Sequence, residues 1–164
     1  MELTLDNLNR LTAEVLSPSG PAATTKAFNA AMIEAFRAND GQLSGDFANS
    51  RLLLLTTRGS VSCLERTTPL AYTKIDGRIC IIAAMGGAPT DPAWFRNLVA
   101  HPEVTVERGA ETYRARAVVA VGYDRDKLFA KAMGKIPAFA EYQKRTTRII
   151  PVIELVPIEE SDSN

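Results

Sequence analysis

Two runs of strand-forming residues, Thr67 to Ile75 and Arg78 to Ala84, are separated only by Asp76-Gly77. A two-residue loop of this kind needs left-handed backbone at both positions, which Asp tolerates and Gly adopts freely, and it turns the chain straight back on itself. The two runs are therefore antiparallel neighbours. Leu52 to Thr57, a continuous apolar run, precedes them and completes a three-stranded meander. Val104 to Arg108 and Thr112 to Val121 read as a second hairpin around Gly109, and Ile149 to Val156, rich in β-branched residues, returns as a closing strand. A parallel sheet would need a helix after nearly every strand. Here helices are inserted between antiparallel hairpins, so the expectation is an α+β barrel.

Helical spacing marks the remaining elements. Leu5, Leu8, Leu11 and Val15 recur behind Thr4 or Asp6, and Ser17-Pro18-Ser19-Gly20-Pro21 breaks that segment. Phe28, Met32, Ile33 and Phe36 define a second helix, which Asn39-Asp40-Gly41 ends. Asp124 to Met133 and Pro137 to Tyr142 read as two more. A chain of 164 residues buries enough surface for one core. The expected organisation is an N-terminal helical arm and linker over 1-22, a barrel domain over 23-157 and a tail over 158-164. The arm's polar face is acidic, with Glu2, Asp6 and Glu14 against Arg10, which favours packing over anchorage to an anionic membrane.

Nineteen basic residues balance nineteen acidic ones, so bulk charge points to no nucleic acid or other polyanion. No run approaches the ~18 apolar residues of a membrane span, and residues 1 to 16 lack a signal-peptide pattern. The cytoplasm is the expected compartment, without membrane insertion. Cys63 and Cys80 have no CxxC spacing and His101 is the only histidine, which supports neither a metal site nor a disulfide framework.

The segment from Met85 to Leu98, Met-Gly-Gly-Ala-Pro-Thr-Asp-Pro-Ala-Trp-Phe-Arg-Asn-Leu, runs from a strand into a short helix. Gly86 and Gly87 permit positive φ or a close approach to a flat ligand, and Asp91 with Pro92 reads as an N-cap and first turn. Trp94 and Asn97, three residues apart, share a helical face and can address one ligand with an aromatic wall and an amide. The same residues also read as a capped turn and a core tryptophan.

Residues for acid, base or nucleophilic chemistry are sparse. His101 precedes Pro102 at a helix exit, where capping or exposure explains it better than a triad does. Asp91, Glu103 and Glu107 are explained by capping and solvated strand positions. Gly59-Ser60-Val61-Ser62-Cys63 lies between strands, so it is no Walker or dinucleotide loop. What remains is Tyr72, Trp94, Phe95, Phe139 and Tyr142 among glycines, with Arg58 and Arg66 beside a strand connection. Such a set suits a flat redox cofactor that carries the chemistry itself, or else the core of a barrel.

The order and spacing of several motifs resemble the deazaflavin-dependent nitroreductase family. They are Phe28-Asn29 with Phe36-Arg37-Ala38-Asn39, Leu53-Leu54-Leu55-Thr56-Thr57-Arg58-Gly59, Arg66-Thr67-Thr68-Pro69-Leu70, Gly86-Gly87-Ala88-Pro89, Pro92-Ala93-Trp94-Phe95-Arg96-Asn97-Leu98, His101-Pro102-Glu103-Val104 and Ile150-Pro151-Val152-Ile153. The resemblance covers about residues 26 to 157. It implies a split antiparallel β-barrel of the flavin-reductase, FMN-binding type that binds coenzyme F420 and passes hydride to a small apolar electrophile such as a quinone, nitro compound or enone.

It also implies a set of contacts. The cofactor loop falls on Ser60, Val61, Ser62, Cys63 and Arg66, with Pro69 close by, and the strand-end contact on Ala83, Ala84, Met85, Gly86 and Gly87. Trp94 and Asn97 fall on the helix contact, and Ile136, Phe139 and Tyr142 on an aromatic lid. Ser62 and Arg66 would take the phosphate, and Tyr142 or Tyr72, the candidate catalytic residues, would place the substrate. Where the family has an Arg-Lys-Ser/Thr-Gly turn this chain reads Ser60-Val61-Ser62-Cys63, and where it has Ser-Lys this chain reads Ala84-Met85. Those losses define a second expectation, a member without cofactor that uses its apolar cavity for a non-redox cyclisation, cycloaddition or isomerisation of a polyketide-like natural product, or only for binding one. The partner in either case is an apolar small molecule, and a homo-oligomer is compatible with both.

Overall fold

The computed structural model describes residues 22–42 and 51–158. The arm expected over 1-22 and the tail over 158-164 lie almost wholly outside them. The described chain runs α1 (Ala22–Ala38), β1 (Leu52–Arg58), β2 (Glu65–Ile75), β3 (Arg78–Ile82), a short turn of 3-10 type (Met85–Gly87), α2 (Ala93–Ala100), β4 (Glu103–Arg108), β5 (Glu111–Val119), α3 (Gly122–Lys135), α4 (Ala138–Lys144) and β6 (Val152–Pro157). The strands close into a six-stranded barrel in the order β1-β2-β3-β6-β5-β4, and every pairing is antiparallel. The α+β antiparallel barrel is therefore the observed fold.

Asp76 and Gly77 both take positive φ, 52° and 81°, so the two-residue hairpin has the geometry its residues call for. The strands start or end one to three residues from the pattern-based limits. β2 is longer at its start, and β6 begins at Val152, with the Pro151 carbonyl already accepting the Ala83 N–H at 3.0 Å on entry to the sheet.

Alternate residues of the strands supply two cores. Inside the barrel Leu53, Leu55, Ile79, Ile81, Val104, Val106, Ile153 and Leu155 pack together, and α2 contributes Trp94 and Leu98 to the same cluster. Outside it, α3 and α4 lay Leu128, Phe129, Ala132 and Phe139 over Ile75, Cys80, Ile82, Ile150 and Val152. β3 is thus buried on both faces, which is why Ile79 to Ile82 is an unbroken apolar run. Each fully buried Leu or Ile is worth roughly 1.5–3 kcal/mol of transfer free energy. Burial also pushes the Cys80 thiol up to about 11, leaving it protonated and inert.

One feature of the sheet prepares the functional site. β2 pairs with β3 only through Tyr72 to Ile75, so its first seven residues, Glu65 to Ala71, project past β3 while still paired to β1. Pro69 sits in that projecting stretch, where the missing N–H costs no ladder bond to β3. α1 packs along β2. Its C-terminal end is anchored by a two-pronged Arg37–Glu107 ion pair, Nε to Oε1 at 3.0 Å and Nη2 to Oε2 at 2.9 Å. Gly41 lies so close to the β4–β5 turn that a Cβ there would sit 2.6 Å from the Gly109 Cα.

Candidate functional site

The projecting part of β2, the β1–β2 turn, α2 and α1 enclose a cavity of about 960 Å³, near the upper end of the range for small-molecule and cofactor sites. Glu65 to Thr68 form one side, Ser60, Val61 and Ser62 the rim, Ala93, Trp94 and Asn97 the floor, Met85 a corner, and Asn29, Ala30 and Ile33 of α1 the cover.

The β1–β2 turn is tightly wound. Gly59 N–H donates to the Leu64 carbonyl at 2.8 Å, Cys63 N–H to the Gly59 carbonyl at 3.0 Å, and Leu64 N–H to Ser62 Oγ at 3.2 Å. A Cβ at Gly59 would displace Ser62 Oγ from its place under the Leu64 N–H and would sit 3.2 Å from the Leu64 carbonyl oxygen. Cys63 adopts φ 60°, a conformation glycine takes without strain, and is exposed. Asn97, 8% exposed, brackets the turn from below: its Nδ2 donates to Thr57 Oγ1 at 3.1 Å and its Oδ1 accepts the Ser60 N–H at 3.0 Å. Both ends of that amide are engaged within the protein, so Asn97 positions the rim while also lining the cavity. Among the described residues no protein acceptor takes the N–H of Val61 or Ser62, and Arg66 has no ion pair.

The opposite corner, residues 83 to 91, is held by Arg148. Its Nη2 donates to the Ala84 carbonyl at 2.7 Å, its Nε to the Ala88 carbonyl at 2.8 Å, and its Nη1 to the Ala83 carbonyl at 3.1 Å and Asp91 Oδ1 at 2.9 Å. This is the use of Asp91. The expected side-chain cap is absent, and Pro92 occupies the N-cap position of α2. Within the corner Met85, Gly86 and Gly87 are all left-handed, at φ 48°, 64° and 83°. Gly87 is obligatory for a second reason, since a Cβ would meet the Tyr142 carbonyl oxygen at 2.6 Å and the Arg145 Cβ at 2.7 Å, whereas Gly86 faces open space.

Of the residues singled out from sequence, the cavity gathers Ser60, Val61, Ser62, Arg66, Met85, Trp94 and Asn97. Ala84, Gly86 and Gly87 build the corner behind Met85 without lining the cavity, and Pro69 lies on β2 just beyond it. Phe139 is buried in the outer core, and Tyr142 packs against it edge-on with ring centroids 6.4 Å apart. Tyr72 packs against the barrel interior beneath Arg108, whose Cζ is 5.7 Å from the ring centroid. The two tyrosines belong to different clusters, and neither lines the cavity. Sequence reasoning missed Arg148 and the α1 contribution. Ile33 carried a helical-stripe signal that reads as core, and Arg148 carried none.

Two smaller hollows flank the barrel. One, of about 530 Å³, mixes Arg58 and Arg114 with Glu65, Glu103 and His101, and the other, of about 400 Å³, lies beside Arg108 and Tyr113. No helix of the described residues is long and apolar enough to cross a membrane. No three metal-ligating side chains converge among them.

A family model described as F420H(2)-dependent quinone reductase matches residues 30–157. The chain belongs to this family. An F420H(2)-dependent quinone reductase of Mycobacterium tuberculosis is 33% identical over 108 residues, 63% of this chain and 71% of the relative. A solved F420-H2 dependent reductase, FDR-A, superposes with a TM-score of 0.58 at 33% identity, over 64% of this chain and 93% of its own. A chain solved as a domain-swapped dimer gives 0.60 at 30% identity, over 75% and 94%. The family match spans every lining residue of the large cavity except Asn29.

Proposed function

We propose that the protein is an F420H(2)-dependent reductase of quinones and that the 960 Å³ cavity is where cofactor and acceptor meet. The observation that carries this reading is the coincidence of the family match with that cavity. When bound, the reduced deazaflavin supplies a hydride to a two-electron acceptor. The protein's own residues bind and orient. The unpaired N–H groups of Val61 and Ser62, the Ser60 hydroxyl and the Arg66 guanidinium form a donor set suited to one phosphate. Trp94 and Met85 offer apolar surface to a ring, and Asn97 keeps the rim in place above them. Ile33 and Ala30 exclude water from the α1 side, which strengthens each polar contact within.

The cofactor-free alternative has no support, since the matched family and the relatives above are described as F420H(2)-dependent. The oligomeric state is suggested only by the domain-swapped neighbour. The test is a titration of the purified chain with oxidised coenzyme F420, followed by turnover of the reduced cofactor with a naphthoquinone. Binding with quinone-dependent reoxidation is expected. Absence of binding under conditions where another family member binds would overturn the assignment.

A further inference from the structure

We infer that this chain recognises the ring and the phosphodiester of its deazaflavin cofactor and leaves the oligoglutamate tail unread, so that affinity does not depend on the number of glutamates. This rests on the function proposed above. The cofactor's tail adds one carboxylate per glutamate beyond its phosphodiester. A protein that reads such a tail must present cations in proportion to it, because an anion exchanged from water to a neutral surface gains little.

The charged lining of the cavity consists of Arg66 and Glu65, one of each sign. Arg66 is matched to a single phosphate by the neutral donors of Ser60 to Ser62, which leaves no described cation of the lining for carboxylates further out. At the corner across the cavity Arg148 spends its guanidinium on the Ala83, Ala84 and Ala88 carbonyls and Asp91, Arg96 donates to the Asp91 carbonyl at 2.6 Å, and Arg145 lies behind the corner, outside the lining, with its guanidinium over the Tyr142 ring and Nη1 3.5 Å from the Gly86 carbonyl. At the rim the exposed side chains of Ser60, Val61 and Ser62 are uncharged, and the exposed Met85 across the cavity is apolar. Residues 1–21, 43–50 and 159–164 hold one basic residue, Arg10, against seven acidic ones. With a formal net charge of zero the whole molecule exerts no long-range pull on a polyanion.

The experiment is a calorimetric titration of the full chain with three probes: the deazaflavin riboside lacking phosphate, the monoglutamyl cofactor and the hexaglutamyl cofactor, at low and high salt. The monoglutamyl and hexaglutamyl forms should bind within about twofold of each other at both salt concentrations, and the riboside about tenfold or more weaker. Arg66→Ala should bring the monoglutamyl form down to the level of the riboside. A hexaglutamyl preference of about fivefold or more that fades in salt would overturn the inference while leaving the proposed function standing. If Lys26→Ala, one helical turn before Asn29, abolishes such a preference, the tail is read from α1. Equal affinity for riboside and monoglutamyl form would overturn the phosphodiester contact. Failure of all three probes to bind would overturn the proposed function and the inference with it.

Discussion

The β1–β2 turn is held from outside by a neutral amide, Asn97, whereas the corner at residues 83 to 91 is held by a cation, Arg148, reaching back from the entrance to the last strand. The amide makes one bond to the turn, and among the described residues no acceptor takes the N–H donors at its tip. The guanidinium saturates three carbonyls and a carboxylate, so the corner turns only Met85 toward the ligand. One wall of the cavity is polar, with Ser60, Ser62, Arg66, Thr67 and Thr68, and the other presents Met85, and the backbone behind each wall adds to the contrast. What stands behind each wall decides whether its backbone groups add to the polarity of its side chains.

Removing the supports should separate the two walls. Arg148→Ala has the largest expected effect: its side chain is 14% exposed, and deleting it leaves Asp91 and three carbonyls without their donor, a loss of about 3 kcal/mol on denaturant unfolding. If stability falls by less than about 1 kcal/mol, solvent replaces the clamp and the contrast fails. Asn97→Ala should cost about 2 kcal/mol, because the Thr57 hydroxyl, 1% exposed, loses its partner, and cofactor binding should weaken with it. A variant that lost stability but bound cofactor unchanged would show that the turn holds its own shape. The smallest effect is expected for Met85→Gly, where relief of the left-handed backbone at φ 48° should raise stability by up to about 1 kcal/mol. Destabilisation there, read as a lower Tm, would mean that the exposed thioether packs more than its backbone strains.

Much of the barrel was legible because its strands are written in local pattern. Asp76-Gly77 set one hairpin, Gly109 another, and the doubly buried β3 announced itself as an unbroken apolar run. The rim residues Ser60, Val61, Ser62 and Arg66 were reachable through the resemblance, which carried their order along the chain. What stayed hidden depends on contacts between distant positions. Asp91 reads locally as a cap, and only the arrival of Arg148, 57 residues later, gives its carboxylate a stronger partner. Tyr72 and Tyr142 are amphipathic aromatics that suit a site or a core equally well, and which they serve is decided by the face of β2 and of α4 on which they fall. Gly87 was marked as conformationally free, but its second constraint, the Tyr142 backbone pressed against it, belongs to α4.

The stretch of β2 that projects past β3 also has a consequence for how copies of this chain behave toward one another. A strand edge without a paired strand is a template on which a foreign strand can add, and among the described residues Glu65 to Ala71 has no strand paired on the side away from β1. Pro69 stands in the middle of it and withholds a backbone donor, so an incoming strand meets an interrupted ladder. A strand added along this wall of the cavity would thus lack one ladder bond, and a ligand lying over Thr67 and Thr68 would cover the same edge.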